Sequence, residues 1–197
     1  MNVLILFAHP ALEKSHVNKW LIKGLKEKEG VTFHDLYEEY PEFDINVQHE
    51  QELLLMHDYI IFHFPFFWYS TPAILKEWQD LVLEHGWAYG SKGNFLKGKQ
   101  FMCAMTIGGP QDVYREDSFH KHTIRQLISP LRQTATLCQM NPLPPFAVHG
   151  AHRVKRDAIE TYRKEYFKLL DEIIEGKFDS AKAAKFDYMN DYLAKSI

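Results

Sequence analysis

Three short stretches of the chain combine residue types that can do chemistry as well as pack. Ser15-His16-Val17-Asn18 sets a hydroxyl, an imidazole and a carboxamide together ahead of an apolar-periodic segment. A helix starting there has unpaired amides and a macrodipole that favours an anion such as phosphate. Ser15 alone also reads as a plain N-cap. Phe66-Phe67-Trp68-Tyr69 puts four aromatic rings in a row where a structural loop would turn polar, which suits a flat aromatic ligand or a loop folded back onto the core. Gly108-Gly109 offers backbone amides with no Cβ in front of them, though the pair also makes an ordinary turn. Eleven histidines are present, the tightest spacings being His120-Lys121-His122 and His149-Gly150-Ala151-His152. No acidic or thiol ligand is placed to join them, so no metal is expected.

The elements that must position these stretches alternate along the chain. Val3 to Ala8 is a continuous apolar run, the pattern of a strand covered on both faces. Val17, Trp20, Leu21, Gly24 and Leu25 then form one helical stripe, predicting a helix to about Lys28 that Gly30 stops. A strand follows at Val31 to Leu36, so the right-handed crossover makes the two strands parallel. Val47 to Met56 reads as a helix and Tyr59 to Phe64 as a strand. Pro72 opens a helix with Ile74, Leu75, Trp78, Leu81 and Val82 on one side. Gln100 to Thr106 is the next strand, Thr123 to Arg132 a helix, and Leu143 to Val148 a fifth strand whose Pro144 and Pro145 suit a sheet edge. Asp157 to Ile174 is a final amphipathic helix. Five strands alternating with five helices predict an open, doubly wound α/β fold, flavodoxin-like in its strand order 2-1-3-4-5. We expect residues 1–176 to form that domain and 177–197 a docked tail or dimer arm.

Composition narrows the function. At 197 residues, a single domain buries about 70% of its unfolded surface and needs no staple. Lys and Arg total 23 against 26 Asp and Glu, net −3, which offers no footprint for nucleic acid or an anionic membrane surface. The two cysteines, Cys103 and Cys138, make neither a disulfide framework nor a zinc site and fit a reducing compartment. The N-terminal apolar run is too short for a signal sequence or span, so a cytoplasmic location is expected, peripheral to a membrane at most through a partner. No G-x-G-x-x-G follows the first strand and no G-x-x-x-x-G-K-[ST] occurs, which removes a Rossmann dinucleotide site and a P-loop. A phosphate-accepting receiver domain fails too, because His9-Pro10 stands where acidic residues would hold Mg²⁺.

In such a sheet, ligands bind beyond the carboxyl ends of the strands where the strand order reverses. The three chemical stretches are the exits of strands one, three and four. Phosphate donors on one loop, aromatic and backbone surfaces on the second and bare amides on the third are what flavin mononucleotide or a related flavin requires.

On these residues the chain resembles the flavodoxin-like NAD(P)H quinone oxidoreductases, most closely the small bacterial ancillary proteins of glutathione-regulated potassium efflux systems. The marks are Ala8-His9-Pro10 with Ser15 and Asn18, Pro65-x-x-Trp68-Tyr69-Ser70-x-Pro72, His85-Gly86-Trp87-Ala88-Tyr89-Gly90, Thr106-x-Gly108-Gly109 and Leu143-Pro144-Pro145-Phe146, within Asn2 to His149. The resemblance implies that His9, Ser15, His16, Val17 and Asn18 line the phosphate end of FMN or FAD. It implies that Pro65, Phe66, Phe67, Trp68 and Tyr69 run along the isoalloxazine and that Thr106, Ile107, Gly108 and Gly109 face its pyrimidine edge. Tyr114 and His120 fall where the family has a Tyr and a His that assist hydride transfer, with His122 an alternative. Phe67 stands where the family often has Gln, and Ile107 replaces a frequent Thr. The activity implied is a two-electron ping-pong transfer from NAD(P)H to a quinone by a homodimer, with His85 to Gly90 at the subunit interface. A regulatory subunit of a potassium efflux transporter and a flavodoxin-type electron carrier are the competing functions.

Overall fold

The computed structural model describes residues 1–195; the last two residues of the C-terminal extension, Ser196 and Ile197, lie outside the described residues. In chain order the elements are β1 Val3–Phe7, α1 Asn18–Leu21, β2 Val31–Asp35, α2 Leu36–Glu39, α3 Val47–Met56, β3 Tyr59–Pro65, α4 Ala73–Val82, β4 Gln100–Thr106, α5 Ile124–Leu127, α6 Ser129–Leu137, β5 Asn141–Pro142, β6 Phe146–Val148, α7 Arg156–Ile174, α8 Ser180–Ala183 and α9 Met189–Ala194. The sheet runs β2-β1-β3-β4-β5 with every pairing parallel, and β6 continues along the same edge of β4 as β5. The order 2-1-3-4-5 is therefore the observed one, with its fifth position built from two pieces.

The two-residue period of the strands sorts the core onto both faces. Val3 and Ile5 of β1, Ile61 of β3 and Ala104 of β4 pack under α1, α7 and α9. Leu4 and Leu6 of β1, Ile60 and Phe62 of β3 and Cys103 of β4 pack under α3, α4 and α6. Both faces are thus covered, which is why β1 and β3 are apolar at nearly every position. Burial pushes the Cys103 thiol up to about 12 and the Cys138 thiol to about 11, so both are packed apolar groups with no reactive thiolate. Among the described residues, no helix is long and apolar enough to cross a membrane.

Four expectations are corrected. The first helix does not reach Lys28: α1 ends at Leu21 and the chain continues in looser turns, because Gly24 takes φ +90°. The Lys23 carbonyl freed there accepts two hydrogen bonds from the Arg163 guanidinium, 3.1 and 2.7 Å, so the break is capped from α7. The predicted helix from Thr123 is two helices, since Pro130 opens α6 and supplies no amide to continue α5. The predicted fifth strand is interrupted at Leu143-Pro144-Pro145, for the same lack of donors. Leu81, placed on the apolar side of α4, is 38% exposed, while Ile74, Leu75, Trp78 and Val82 are buried.

The C-terminal segment lies along the open edge. Met189 N donates to Pro145 O at 2.9 Å and Ala147 N donates to Asn190 Oδ1 at 2.9 Å, so β6 does not present a bare row of donors. Met189, Tyr192 and Leu193 are buried against α7 and the sheet.

Candidate active site

Beyond the carboxyl ends of β1, β3 and β4 the three loops surround a cavity of about 480 Å³. It brings together His9, Ser15, His16, Val17, Asn18, Phe66, Phe67, Trp68, Thr106 and Gly108. A second cavity of about 190 Å³ shares Phe66, Trp68 and Gly108 with it and adds Tyr69, Gly109, Tyr114 and His120. Two predicted site residues are not brought to either cavity. Pro65 is buried in β3, paired with Thr106 in the ladder, and Ile107 is fully buried with its amide donating to Val148 O at 2.8 Å. Neither has a side chain or donor left to meet a ligand, because the sheet uses both.

At one end of the larger cavity a polar relay fixes the loop after β1. Asn18 Nδ2 donates to Ser15 Oγ at 3.2 Å and to Thr106 Oγ1 at 3.0 Å, so the carboxamide ties the β1 exit to the β4 exit. Its Oδ1 lies 3.3 Å from His63 Nε2, the donor of that pair. His63 is fully buried, desolvation holds its imidazole down at about 3, and its Nδ1 has no partner. His9 accepts from Ala11 N at Nδ1, 3.1 Å, which puts its proton on Nε2. Burial lowers its pKa, more than the nearby Glu13 raises it. Among the described residues, the backbone amides of His16, Val17, Trp68, Tyr69 and Gly108 donate to no protein acceptor. Those of His16, Val17, Trp68 and Gly108 belong to the larger cavity and that of Tyr69 to the adjoining smaller one, a set suited to phosphate and carbonyl oxygens.

The aromatic loop is strained. Trp68 and Tyr69 adopt φ +49° and +64°, and Ser70 N closes back on Phe67 O at 2.9 Å. Two positive φ values at the centre of a tight turn are the pattern that Asn-Gly normally supplies. Here two aromatic residues bear it, at about 1–2 kcal/mol each. The turn leaves Trp68 91% exposed and Phe67 and Tyr69 half-exposed at the rim, an arrangement that packing alone does not explain.

The smaller cavity brings together Tyr114 and His120, the pair expected to assist hydride transfer. Tyr114 is buried and stacks on His120, centroids 4.2 Å apart and planes 10° apart. Burial raises the Tyr114 pKa, against the opposing pull of the Gly109 amide. The Tyr69 hydroxyl lies 3.3 Å from His120 Nδ1. The competing His122 faces away from this pair, its Nδ1 3.1 Å from the His120 carbonyl. Gly109 fits this packing closely: a Cβ there would lie 3.1 Å from Tyr114 Cε2. At Gly108 a Cβ would come within 2.9 Å of His152 Nε2.

Sequence reasoning missed Lys14, Ala11, Ala151 and His152, all of which line the larger cavity. The spacing of His149 and His152 is visible in the chain, but by itself it suggests only metal ligation. His152 reaches the cavity from the turn after β6 and adds an imidazole beside Gly108.

Residues 1–170 match the family described by its flavodoxin-like fold. A glutathione-regulated potassium-efflux system ancillary protein KefG from Cronobacter sakazakii is 40% identical over 178 residues, covering 90% of this chain and 97% of the relative. The solved structure of general stress protein 14 from Treponema denticola, in complex with FMN, is 35% identical with a TM-score of 0.83, covering 88% of this chain and 99% of that one. An NADPH-quinone reductase structure from P. pentosaceus is 34% identical with a TM-score of 0.77, covering 84% and 95% of the two chains.

Proposed function

The chain belongs to the flavodoxin-like fold family, and on that premise we propose that it is a flavin-dependent NAD(P)H:quinone oxidoreductase. The observation that carries this reading is the set of five unpaired backbone amides spread over two adjoining cavities beside a strained aromatic turn. The residues fit flavin mononucleotide. Ser15, His16, Val17 and Lys14 supply hydroxyl, amide and cationic groups for the phosphate, and the unpaired amide of Gly108 at the same cavity suits a carbonyl oxygen of the pyrimidine edge. The relative solved with FMN supports the same choice.

Held by Ser15, His16, Val17 and Gly108, a flavin would supply two-electron hydride chemistry between NAD(P)H and a quinone, in two separate half-reactions of a ping-pong sequence that would avoid one-electron products. The chain's own residues bind, orient and shield. Asn18 holds the β1 and β4 exits at fixed separation; Phe66, Phe67 and Trp68 supply flat aromatic walls. Tyr114 and His120, stacked and joined to Tyr69, provide a hydroxyl and an imidazole that hold or move a proton beside the Gly109 amide. The Trp68 ring at the cavity and the Phe119 ring packed on His120, 91% and 81% exposed, suit coverage by a second subunit in a homodimer.

The experiment is to purify the protein, identify any released flavin and follow NAD(P)H oxidation with and without a benzoquinone. We expect yellow protein and acceptor-dependent turnover. Tyr114→Phe with His120→Ala should slow flavin reduction by about two orders of magnitude while changing flavin affinity far less. Unchanged reduction in that variant would reject the two roles.

A second reading rests on the 40% identity to the KefG protein across nearly its whole length. The same fold would then serve as an ancillary subunit of a potassium efflux transporter. Co-purification with such a transporter, unaffected by the Tyr114/His120 variant, would support it.

A further inference from the structure

The geometry points to His149 and Tyr188 as positioning residues for Tyr114, with the C-terminal segment acting as a strut behind the loop that carries it. This deepens the proposed function and rests on Tyr114 working at that site. The segment that supplies Tyr188 lies beyond the residues that match the family, 1–170, so the strut comes from the C-terminal extension.

Five consecutive residues are held from two directions. Arg125 Nη1 donates to Phe186 O at 3.2 Å and pairs with Asp187 Oδ1 at 2.9 Å, which fixes the segment to the start of α5. Met189 N and Asn190 Oδ1 engage Pro145 and Ala147 on the edge of the sheet. Between these anchors Tyr188 has little freedom. Its ring meets His149 edge-on, centroids 5.6 Å and planes 80° apart. His149 in turn lies 5.8 Å from Tyr114 at 54°. From there the stack passes through His120 to Tyr69, so rings run without interruption from the C-terminal segment to the strained turn at the cavity.

Two further facts bear on what the arrangement does. A cavity of about 440 Å³ is lined by Gln111, Asp112, Tyr114 and Arg115 on one segment and Asp187 and Tyr188 on the other. It leaves the Tyr114 ring room to move, and the packed rings of His120 and His149 are the contacts that hold it in the stack. Moreover, both ring nitrogens of His149 are buried without a partner in hydrogen-bond geometry, and the influence of the Gly109 backbone on the imidazole is outweighed by burial, so packing is what holds the ring there. The backbone reinforces this placement. Gly150 N donates to Gly109 O at 2.9 Å, which ties the His149 turn to the glycine against which Tyr114 rests. A misplaced acid-base group loses far more rate than binding.

The test uses Tyr188→Ala and His149→Ala, which delete a ring, beside Tyr188→Phe and His149→Phe, which keep one. In flavin-free protein, amide hydrogen exchange reads the bonds Tyr114 N to Gln111 O and His120 N to Val113 O. Both alanine variants should speed exchange there about tenfold and leave β1 and β3 unchanged, whereas the phenylalanine variants should match the parent. In flavin-loaded protein, single-turnover reduction by NADPH should slow about tenfold in the alanine variants, with flavin affinity held within about twofold. If the alanine variants leave loop exchange and reduction at parental values, or if phenylalanine fails to rescue, the strut is refuted. Should the parent protein bind flavin and reduce no acceptor, the functional reading falls instead, and the exchange measurement still decides the strut. If one alanine variant does not fold, the other carries the same two outcomes.

Discussion

Glu50 and the cavity rim handle buried polarity in opposite ways. Glu50, fully buried on α3, receives Trp78 Nε1 at 2.7 Å, the Tyr40 hydroxyl at 2.6 Å and His34 Nε2 at 2.7 Å. Burial alone would raise its pKa, but these hydrogen bonds, led by His34, outweigh it and hold the carboxyl below its usual value. At the rim, polarity is left unmatched. Among the described residues, five amides find no acceptor there and two aromatic residues sit at positive φ, while the buried His63 and His149, outside the cavity lining, keep ring nitrogens with no hydrogen-bond partner. The first region is finished within the chain and serves stability. The second is left open, which is what a site awaiting a ligand requires.

The largest test of that contrast is Glu50→Leu. It strands the Trp78 and Tyr40 donors in the core and should cost about 3–5 kcal/mol in denaturant unfolding. An effect near zero would show that the cluster is not what holds α3 and α4 together, and the comparison would fail at its stable end.

Acid should then separate the two regions by pH window. Buried neutral histidines refuse protons that the unfolded chain accepts below about 6.5. Desolvation holds His149 at about 4 and His63 at about 3, so they make stability fall as pH drops from 6.5 toward those values. Glu50 behaves differently. With its folded pKa depressed below 4.5, its contribution is fully present above 4.5 and is lost only as pH falls through the folded value. Unfolding midpoints across this range should fall in two stages. His149→Phe should make the first stage shallower and leave the second alone, while Glu50→Gln should do the reverse. One unbroken decline, equal in all three proteins, would contradict the assignment.

The smallest effect carries an unusual sign. Trp68→Gly removes a side chain from a left-handed backbone position and should stabilise the flavin-free fold by about 0.5–1 kcal/mol, after allowance for the added freedom of glycine when unfolded. It should also weaken flavin binding about tenfold, since a wall of the cavity is lost. Destabilisation by this substitution would mean that the turn is not strained in the way its φ values indicate.

Local pattern made much of this legible. The apolar runs of β1, β3 and β4 and the stripes of α4 and α7 are properties of neighbouring residues, and they were readable because burial on one or both faces imposes a period on the chain. The turn chemistry of Ser15 to Asn18 and of Gly108-Gly109 was readable for the same reason. What lay hidden depends on partners distant in sequence. Gly24 ends α1 where Arg163, 140 residues from Lys23, caps the freed carbonyl. His152 arrives at Gly108 from the far side of β6, and the Tyr188 ring is linked to Tyr114 by that of His149. Ile107, flanked in the chain by Thr106 and Gly108, is instead claimed by β6 through its amide.

The amino-acid sequence by itself determined the alternating elements, their parallel order and the three loops that meet at one end of the sheet, because each follows from short-range periodicity and turn preference. Tertiary structure alone decided which nitrogens are satisfied, which amides remain open and which rings stack across the cavity. Those outcomes depend on the closing of space between segments far apart along the chain, a quantity that no local window contains.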